Sequence, residues 1–133
     1  MKISENFELK EFTHSDTAIR KGIANDPGVS EVKAIENLAV KLLQPLRKVY
    51  GKRMVINSGY RCPELNKVVG GVATSQHVKG EAADVACAHP AYLVECLRKS
   101  GLDFDQCIQY STFVHLSIRM DGQNRKQYLK GKY

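Results

Sequence analysis

The sequence predicts a single domain, residues 1–133, in which helices and short strands are mixed. Apolar residues recur at three- and four-residue steps over 30–50, which is typical of a long amphipathic helix. A second helix over 90–100 begins with proline and is followed by glycine. Two β-prone runs, 104–110 and 112–120, are separated by little more than one residue, which predicts a tight hairpin or adjacent strands.

The long helix is the expected main element of the core. Ser30 is its predicted N-cap, and Pro45 lies inside the periodic run, where a missing amide donor favours a kink or a restart. Residues 4–12 suit a short strand or a helical turn, and the basic tail 125–133 is expected to fray. The remaining predicted elements are helices over 17–22 and 63–69, strands over 53–58 and 82–87, turns at 25–28, 58–61 and 121–124, and a loop at 72–76.

Composition limits the classes of function. The formal net charge is +6 and the pI about 9.2, which favours an anionic partner such as nucleic acid, an acidic membrane or a cell-wall polymer. The basic residues are scattered except near the C-terminus, and no aromatic-plus-basic strand motif of single-strand binders is present. No apolar run is long enough to span a bilayer, so we expect a soluble protein.

The N-terminus and the cysteines bear on the compartment. Acids interrupt the first residues where a secretory signal needs an apolar segment, so we expect a chain made in the cytoplasm without its own export signal. The four cysteines, Cys62, Cys87, Cys96 and Cys107, match neither the spacing of a metal knuckle nor that of a disulfide scaffold. We interpret them as structural thiols.

The segment Ser75–Asp84 carries the clearest chemical signal. His77 and Asp84 stand seven positions apart with glycine and two alanines between them, which suits two ligands that converge on one metal across a bend. His115, on the polar face of the last β-prone run, would complete an open three-ligand zinc site. Zinc in such a site lowers the pKa of bound water to roughly 7 and polarises a carbonyl, which points to amide hydrolysis.

Each of these residues could instead have a purely structural role. His77 and Asp84 could form a histidine–carboxylate hydrogen bond in a loop, and His115 could be a half-buried strand histidine. The pattern as a whole is more specific than either alternative. Its residues are Ser75-x-His77-x-x-Gly80-x-Ala82-x-Asp84 and, some thirty residues later, Val114-His115-Leu116-Ser117.

This pattern resembles the M15 family of zinc D-Ala-D-Ala carboxypeptidases and phage endolysins. The similarity extends to Phe7–Ile23, to Leu42–Arg47 at the end of the long helix and to Ser58–Asn66, which are similar to the small single-domain branch of the family. The resemblance implies an α+β fold, an antiparallel β-sheet with packed helices, of the hedgehog/DD-peptidase type.

The resemblance also implies roles for residues. His77, Asp84 and His115 match the family's Zn²⁺ ligands, and Arg61 matches an arginine that faces the substrate carbonyl or its developing oxyanion. A fixed guanidinium suits that charge, although Arg61 could also be a surface salt-bridge partner. The implied substrate class is the stem peptide or cross-link of bacterial peptidoglycan.

One departure from the family pattern concerns the general base. Family enzymes commonly carry an acid on or just before the strand of the last ligand, but Thr112 and Gln109 stand there in this chain. The acids left nearby are Asp103, Asp105 and Glu81. We select Asp105 as the catalytic base, because it could lie near the site if the two last strands pair.

Three further residues are expected to contact the substrate. They are Ser75, Tyr60 and Ser117, each within two positions of Arg61 or an expected ligand. The alternative for Ser75 is a hydroxyl that stabilises a turn, and the alternative for Tyr60 and Ser117 is packing alone.

The function expected from the sequence is therefore a zinc metallopeptidase that hydrolyses peptidoglycan peptide bonds. The bond could be D-Ala-D-Ala, a cross-bridge or L-Ala-D-Glu. The alternative is a zinc-containing peptidoglycan-binding protein with weak or no catalysis. We expect a monomer without nucleic-acid or membrane partners that reaches the wall after release by another factor; nucleic-acid binding would rest on charge alone.

Overall fold

The computed structural model describes residues 1–132, and its mixed α+β architecture confirms the predicted fold class. The strands are β1 Lys2–Ser4, β2 Phe7–Glu8, β3 Val55–Ser58, β4 Ala82–Ala86, β5 Gln106–Gln109, β6 Phe113–Ser117 and β7 Gln127–Lys130. The helices are α1 Leu9–Thr13, α2 Asp16–Lys21, α3 Val29–Leu38, α4 Gln44–Tyr50, α5 Pro63–Val68, α6 Gln76–Lys79 and α7 Pro90–Ser100. No helix among these residues is long and apolar enough to cross a membrane.

The main sheet has the strand order β3-β4-β6-β5-β7. All neighbouring pairs are antiparallel except β5 and β7, which run parallel. Strands β5 and β6 form the predicted hairpin, closed by a hydrogen bond of 2.9 Å from the Tyr110 amide to the Phe113 carbonyl. Strands β1 and β2 form a separate two-stranded sheet.

One face of the main sheet packs on helices and forms the core. Val114, Leu116 and Ile118 are buried there, as the alternation along β6 predicts, and Ala83 and Val85 of β4 lie beside them. The helices add leucines from α3, α4 and α7 to the same hydrophobic cluster. The opposite face of the two central strands is therefore free to carry polar side chains.

The long helix is interrupted as predicted. Helix α3 ends at Leu38, a π-type turn follows over Ala39–Leu43, and α4 starts at Gln44 with Pro45 in its first turn, where the missing amide costs least. The predicted N-cap at Ser30 is wrong. The N-cap is Gly28, two residues earlier, because the carboxylate of Glu31 accepts the Gly28 amide at 2.9 Å, and the helix begins at Val29.

The basic tail does not fray as predicted over its described part. Residues 127–130 pair with β5 and form the outer strand β7. The ring of Tyr128 lies 4.9 Å from that of Phe104 and under the guanidinium of Arg98, at 3.9 Å. These contacts hold a polar segment that has no strand signal of its own. Tyr133 lies outside the described residues.

The four cysteines are free thiols, with Cys96 and Cys107 buried and Cys62 and Cys87 half-buried. Cys107 lies in the core, where burial raises the pKa of its thiol to about 12. This agrees with the structural role predicted for these residues.

The segment predicted as a bend contains one short helical turn. Helix α6 carries His77, and Gly80 ends it with a φ of 77°, in the left-handed region. A Cβ added to Gly80 would lie 2.6 Å from the carbonyl oxygen of Glu31 in α3. Glycine is thus required at position 80 both by the backbone angle and by the contact between α6 and α3.

Substitution of Gly80 should therefore destabilise the fold more than substitution of a glycine that has only the unusual angle. Gly101 has a φ of 74° and nothing within 4 Å of an added Cβ. We expect Gly101→Ala to lower the free energy of unfolding by about 1 kcal/mol and Gly80→Ala by about 3 kcal/mol or more. Urea denaturation of both variants measures this, and equal losses would contradict the close contact.

Candidate metal centre

The candidate site lies on the face of the sheet opposite the core. Asp84 of β4 and His115 of β6 are direct partners in the antiparallel register, so their side chains project from the same face. The Nδ1 atom of His115 lies 2.9 Å from Oδ1 of Asp84. The register of these two strands alone brings a carboxylate and an imidazole together.

The third side chain comes from α6. His77 is buried, and its Nε2 lies 3.5 Å from Oδ1 of Asp84. Its Nδ1 lies 2.7 Å from the carbonyl oxygen of Gly59. A carbonyl only accepts hydrogen bonds, so Nδ1 carries the proton and Nε2 keeps a lone pair directed at the site. This is the tautomer that a metal ligand needs.

The three donor groups fit a zinc ion. One ligand atom from each of His77, Asp84 and His115 lies within 4.8 Å of the others. Burial alone would raise the pKa of Asp84, but the hydrogen bond with His115 and the adjacent imidazole of His77 outweigh it and hold that pKa well below its usual range. The carboxylate is thus ionised, and two imidazoles with one carboxylate are a donor set that suits zinc and leaves a position open.

An open cleft of about 730 Å³ surrounds these donors. Arg61 lines it, half-buried, and its backbone amide donates to the His77 carbonyl at 3.1 Å. Burial lowers the pKa of Arg61 and the charge of Asp84 raises it, yet a guanidinium stays charged at neutral pH. Its Nε is buried and has no hydrogen-bond partner among the described residues.

The other residues expected to contact substrate divide into two groups. Ser75 lines the cleft, but its hydroxyl already accepts the His77 amide at 3.2 Å, so it also fixes the turn. Tyr60 and Ser117 do not line the cleft in the described structure, and their surroundings favour the packing alternative. The ring of Tyr60 is in the core, and the fully buried Ser117 hydroxyl accepts the Gln106 amide at 3.0 Å.

The choice of Asp105 as general base is not supported by its surroundings. Asp105 is fully buried just before β5, on the core side of the strand alternation, whereas Ile108 is the residue opposite His115. Burial would raise the pKa of Asp105, but hydrogen bonds from Arg125 and Arg119 outweigh it and hold the pKa well below its usual range. A carboxylate bound in this way is a poor proton acceptor.

The cleft has further walls that the sequence reading did not assign. At one end the rings of Tyr110 and Phe113 stack at 4.3 Å beside Ile108, giving an apolar surface. Charged side chains line other parts of the cleft: Lys79, Glu81, Arg119, Asp121 and Arg125. Phe113 and Arg119 stand at even spacings from His115, so the alternation of side chains along this strand could have indicated that they share its face. Ile108 can be identified only once the pairing of β5 with β6 is known.

Comparison with known proteins agrees with this geometry. The family description Peptidase M15 matches residues 5–117, most of the chain and all three candidate ligands. The chain belongs to the peptidase M15 family. M15 peptidases are generally zinc-dependent, in agreement with the His-Asp-His donor set. No curated protein matches the sequence significantly.

The donor set predicts how zinc binding responds to substitution. Purified M15 protein should hold about one zinc per chain, and His77→Ala, Asp84→Ala and His115→Ala should each retain little of it, because each removes one of three donors. The exposed His89 is the matched control, and His89→Ala should keep full occupancy. Elemental analysis after dialysis measures the ratio. Full retention by the three ligand variants would exclude this site.

Proposed function

We propose that the protein is a zinc-dependent peptidase that hydrolyses peptide bonds in the stem peptides or cross-links of bacterial peptidoglycan. The observation that supports it most is the three-donor cluster on the wall of an open cleft that also holds Arg61, in an M15 chain. His77, Asp84 and His115 would hold the zinc. When bound, zinc polarises a carbonyl and activates water for attack.

Arg61 is assigned to the substrate carbonyl. It lines the cleft beside the metal ligands, and its full positive charge suits an oxygen that becomes negative during attack on an amide. The hydrogen bond between its backbone and His77 fixes it relative to the metal ligands. Arg61 is therefore assigned to stabilise the charge that develops on that oxygen.

Glu81 is assigned as proton acceptor in place of Asp105. Of the three acids considered from the sequence, it is the one that lines the cleft in the described structure. Its Oε2 accepts the Met120 amide at 3.1 Å, and its Oε1 has no hydrogen bond among the described residues. Asp103, by contrast, is exposed and accepts from Asn124 at 2.8 Å. Oε1 of Glu81 is thus free to take a proton from water.

The peptidoglycan assignment rests on the resemblance and on the net charge of +6, which suits an anionic wall polymer. We propose that the protein acts on the cell wall as a monomer, after another factor has released it from the cytoplasm. The second candidate is a zinc-containing binder of peptidoglycan with weak or no catalysis. Thr112 and Gln109, at the places where an acid is common in relatives, favour that candidate.

Digestion of purified peptidoglycan tests the two candidates. The zinc-loaded enzyme should release new amino termini that mass analysis of the fragments assigns to one bond, and His77→Ala should abolish their release. Intact wall that still co-sediments with the protein would support the binder instead. If the protein neither cleaves the peptidoglycan nor co-sediments with it, both candidates are rejected.

Substitution of Glu81 tests the proton acceptor. A positioned general base contributes roughly 10²- to 10⁴-fold, so Glu81→Gln should lower kcat by that factor while zinc content stays unchanged. Glu95→Gln, an exposed change on α7, should leave kcat as it is. Steady-state kinetics on the peptide cut by the wild type measures both. An unchanged kcat in Glu81→Gln would remove Glu81 from the mechanism.

A further inference from the structure

The buried carboxylate of Asp105 binds the guanidinium groups of two arginines, Arg119 and Arg125. Arg125 binds it at both oxygens, with Nε 3.0 Å from Oδ1 and Nη2 2.8 Å from Oδ2, and its backbone amide donates to Oδ1 at 2.8 Å. Arg119 approaches through Nε, 3.2 Å from Oδ2. The carboxylate has no exposed surface, so its role toward the two arginines is to fix their position.

The cluster keeps unused binding capacity. One carboxylate faces two guanidinium groups, which leaves one positive charge uncompensated within it. Arg119 uses only its Nε edge, and its two terminal nitrogens have no hydrogen bond among the described residues. Each guanidinium has five N–H donors, so the edge formed by the two terminal nitrogens of Arg119 can still bind a planar anion through two parallel hydrogen bonds.

Both arginines line the metal cleft, with side chains that are 33% and 44% exposed. The turn that carries Arg119 is fixed, since its amide donates to the Asn124 side chain at 2.7 Å. The acids that also line this wall, Glu81 and Asp121, accept backbone amides rather than pair with the arginines. Glu81 accepts the Met120 amide, and Asp121 accepts the Gln123 amide at 2.8 Å. Neither acid forms an ion pair within the described part of the chain.

We propose that Arg119 and Arg125, positioned by Asp105, form a subsite for a free carboxylate of the peptide substrate. The inference rests on the proposed function, since the same cleft holds the metal cluster. Planar guanidinium groups recognise carboxylates through bidentate hydrogen bonds, and a buried anchor removes the entropic cost of ordering them. Both arginines lie beyond residues 5–117, the part that matches the family.

A stem peptide offers two carboxylates, one at its C-terminus and one on its glutamyl residue. Three probes separate them: acetyl-L-Ala-γ-D-Glu-L-Lys-D-Ala-D-Ala, the same peptide as its C-terminal amide, and the same peptide with the glutamyl carboxylate amidated. Calorimetric titration of the zinc-loaded full chain gives the Kd of each, and mass analysis afterwards shows whether it was cut. Where a peptide is cut, its KM replaces the Kd.

One of the two amides should bind roughly 10- to 100-fold more weakly than the parent peptide, because it lacks a charged hydrogen-bond partner. Which amide loses affinity identifies the carboxylate. Arg119→Gln should abolish this discrimination. Lys99→Gln makes the same charge change on an exposed lysine of α7 and should preserve it. Asp105→Asn should also lose the discrimination. It should still bind the amide that lost affinity with the wild-type Kd, which a misfolded protein would not.

Equal affinity for all three probes in the wild type, including no binding of any, would overturn the subsite. Discrimination that survives Arg119→Gln would also overturn it. These outcomes are distinct from failure of the proposed function. Cleavage without carboxylate preference keeps the peptidase and rejects the subsite. Carboxylate preference together with no cleavage of either the peptides or purified peptidoglycan keeps the subsite and rejects the peptidase.

Discussion

The antiparallel register of β4 and β6 is the constraint on which the site depends. Asp84 faces His115 across this pair, while Val85 and Val114 face the core. Side chains alternate with a period of two, so a slip of one residue would bury the carboxylate and expose the valines. The hydrophobic effect that fixes the core face therefore also fixes two of the three candidate ligands.

The third ligand depends on close contacts between backbones. A Cβ at Gly59 would lie 2.6 Å from the Phe12 carbonyl oxygen, so α1 packs directly on the chain at this point. The Gly59 carbonyl then orients His77, and the buried Asn25 holds the adjoining segment through the Tyr60 carbonyl and the Cys62 amide. Local chain geometry thus selects the imidazole tautomer before any metal binds.

The sequence predicted what depends on local pattern and specific motif. The helix restart at Pro45, the β5–β6 hairpin and the grouping of His77, Asp84 and His115 follow from periodicity, turn signals and spacing. Contacts distant in sequence did not follow. Asp105 was selected as a base because the sequence does not show that Arg119 and Arg125, which follow β6, bind its carboxylate. Residues 127–130 were expected to fray because their parallel pairing with β5 cannot be seen in their own sequence. Tyr60 and Ser117 lie outside the cleft lining, because closeness in sequence to a site residue does not fix the direction of a side chain.

The position of the two arginines along the chain has a consequence for how such enzymes diversify. The candidate metal ligands lie within the segment shared with the family, and the guanidinium groups lie after it. The metal ligands and the two arginines of the proposed subsite would then be encoded in separate stretches of one gene. Mutation after the last ligand could then change which peptide the proposed subsite accepts while the inherited metal site is left intact, which is a simple route to a new specificity.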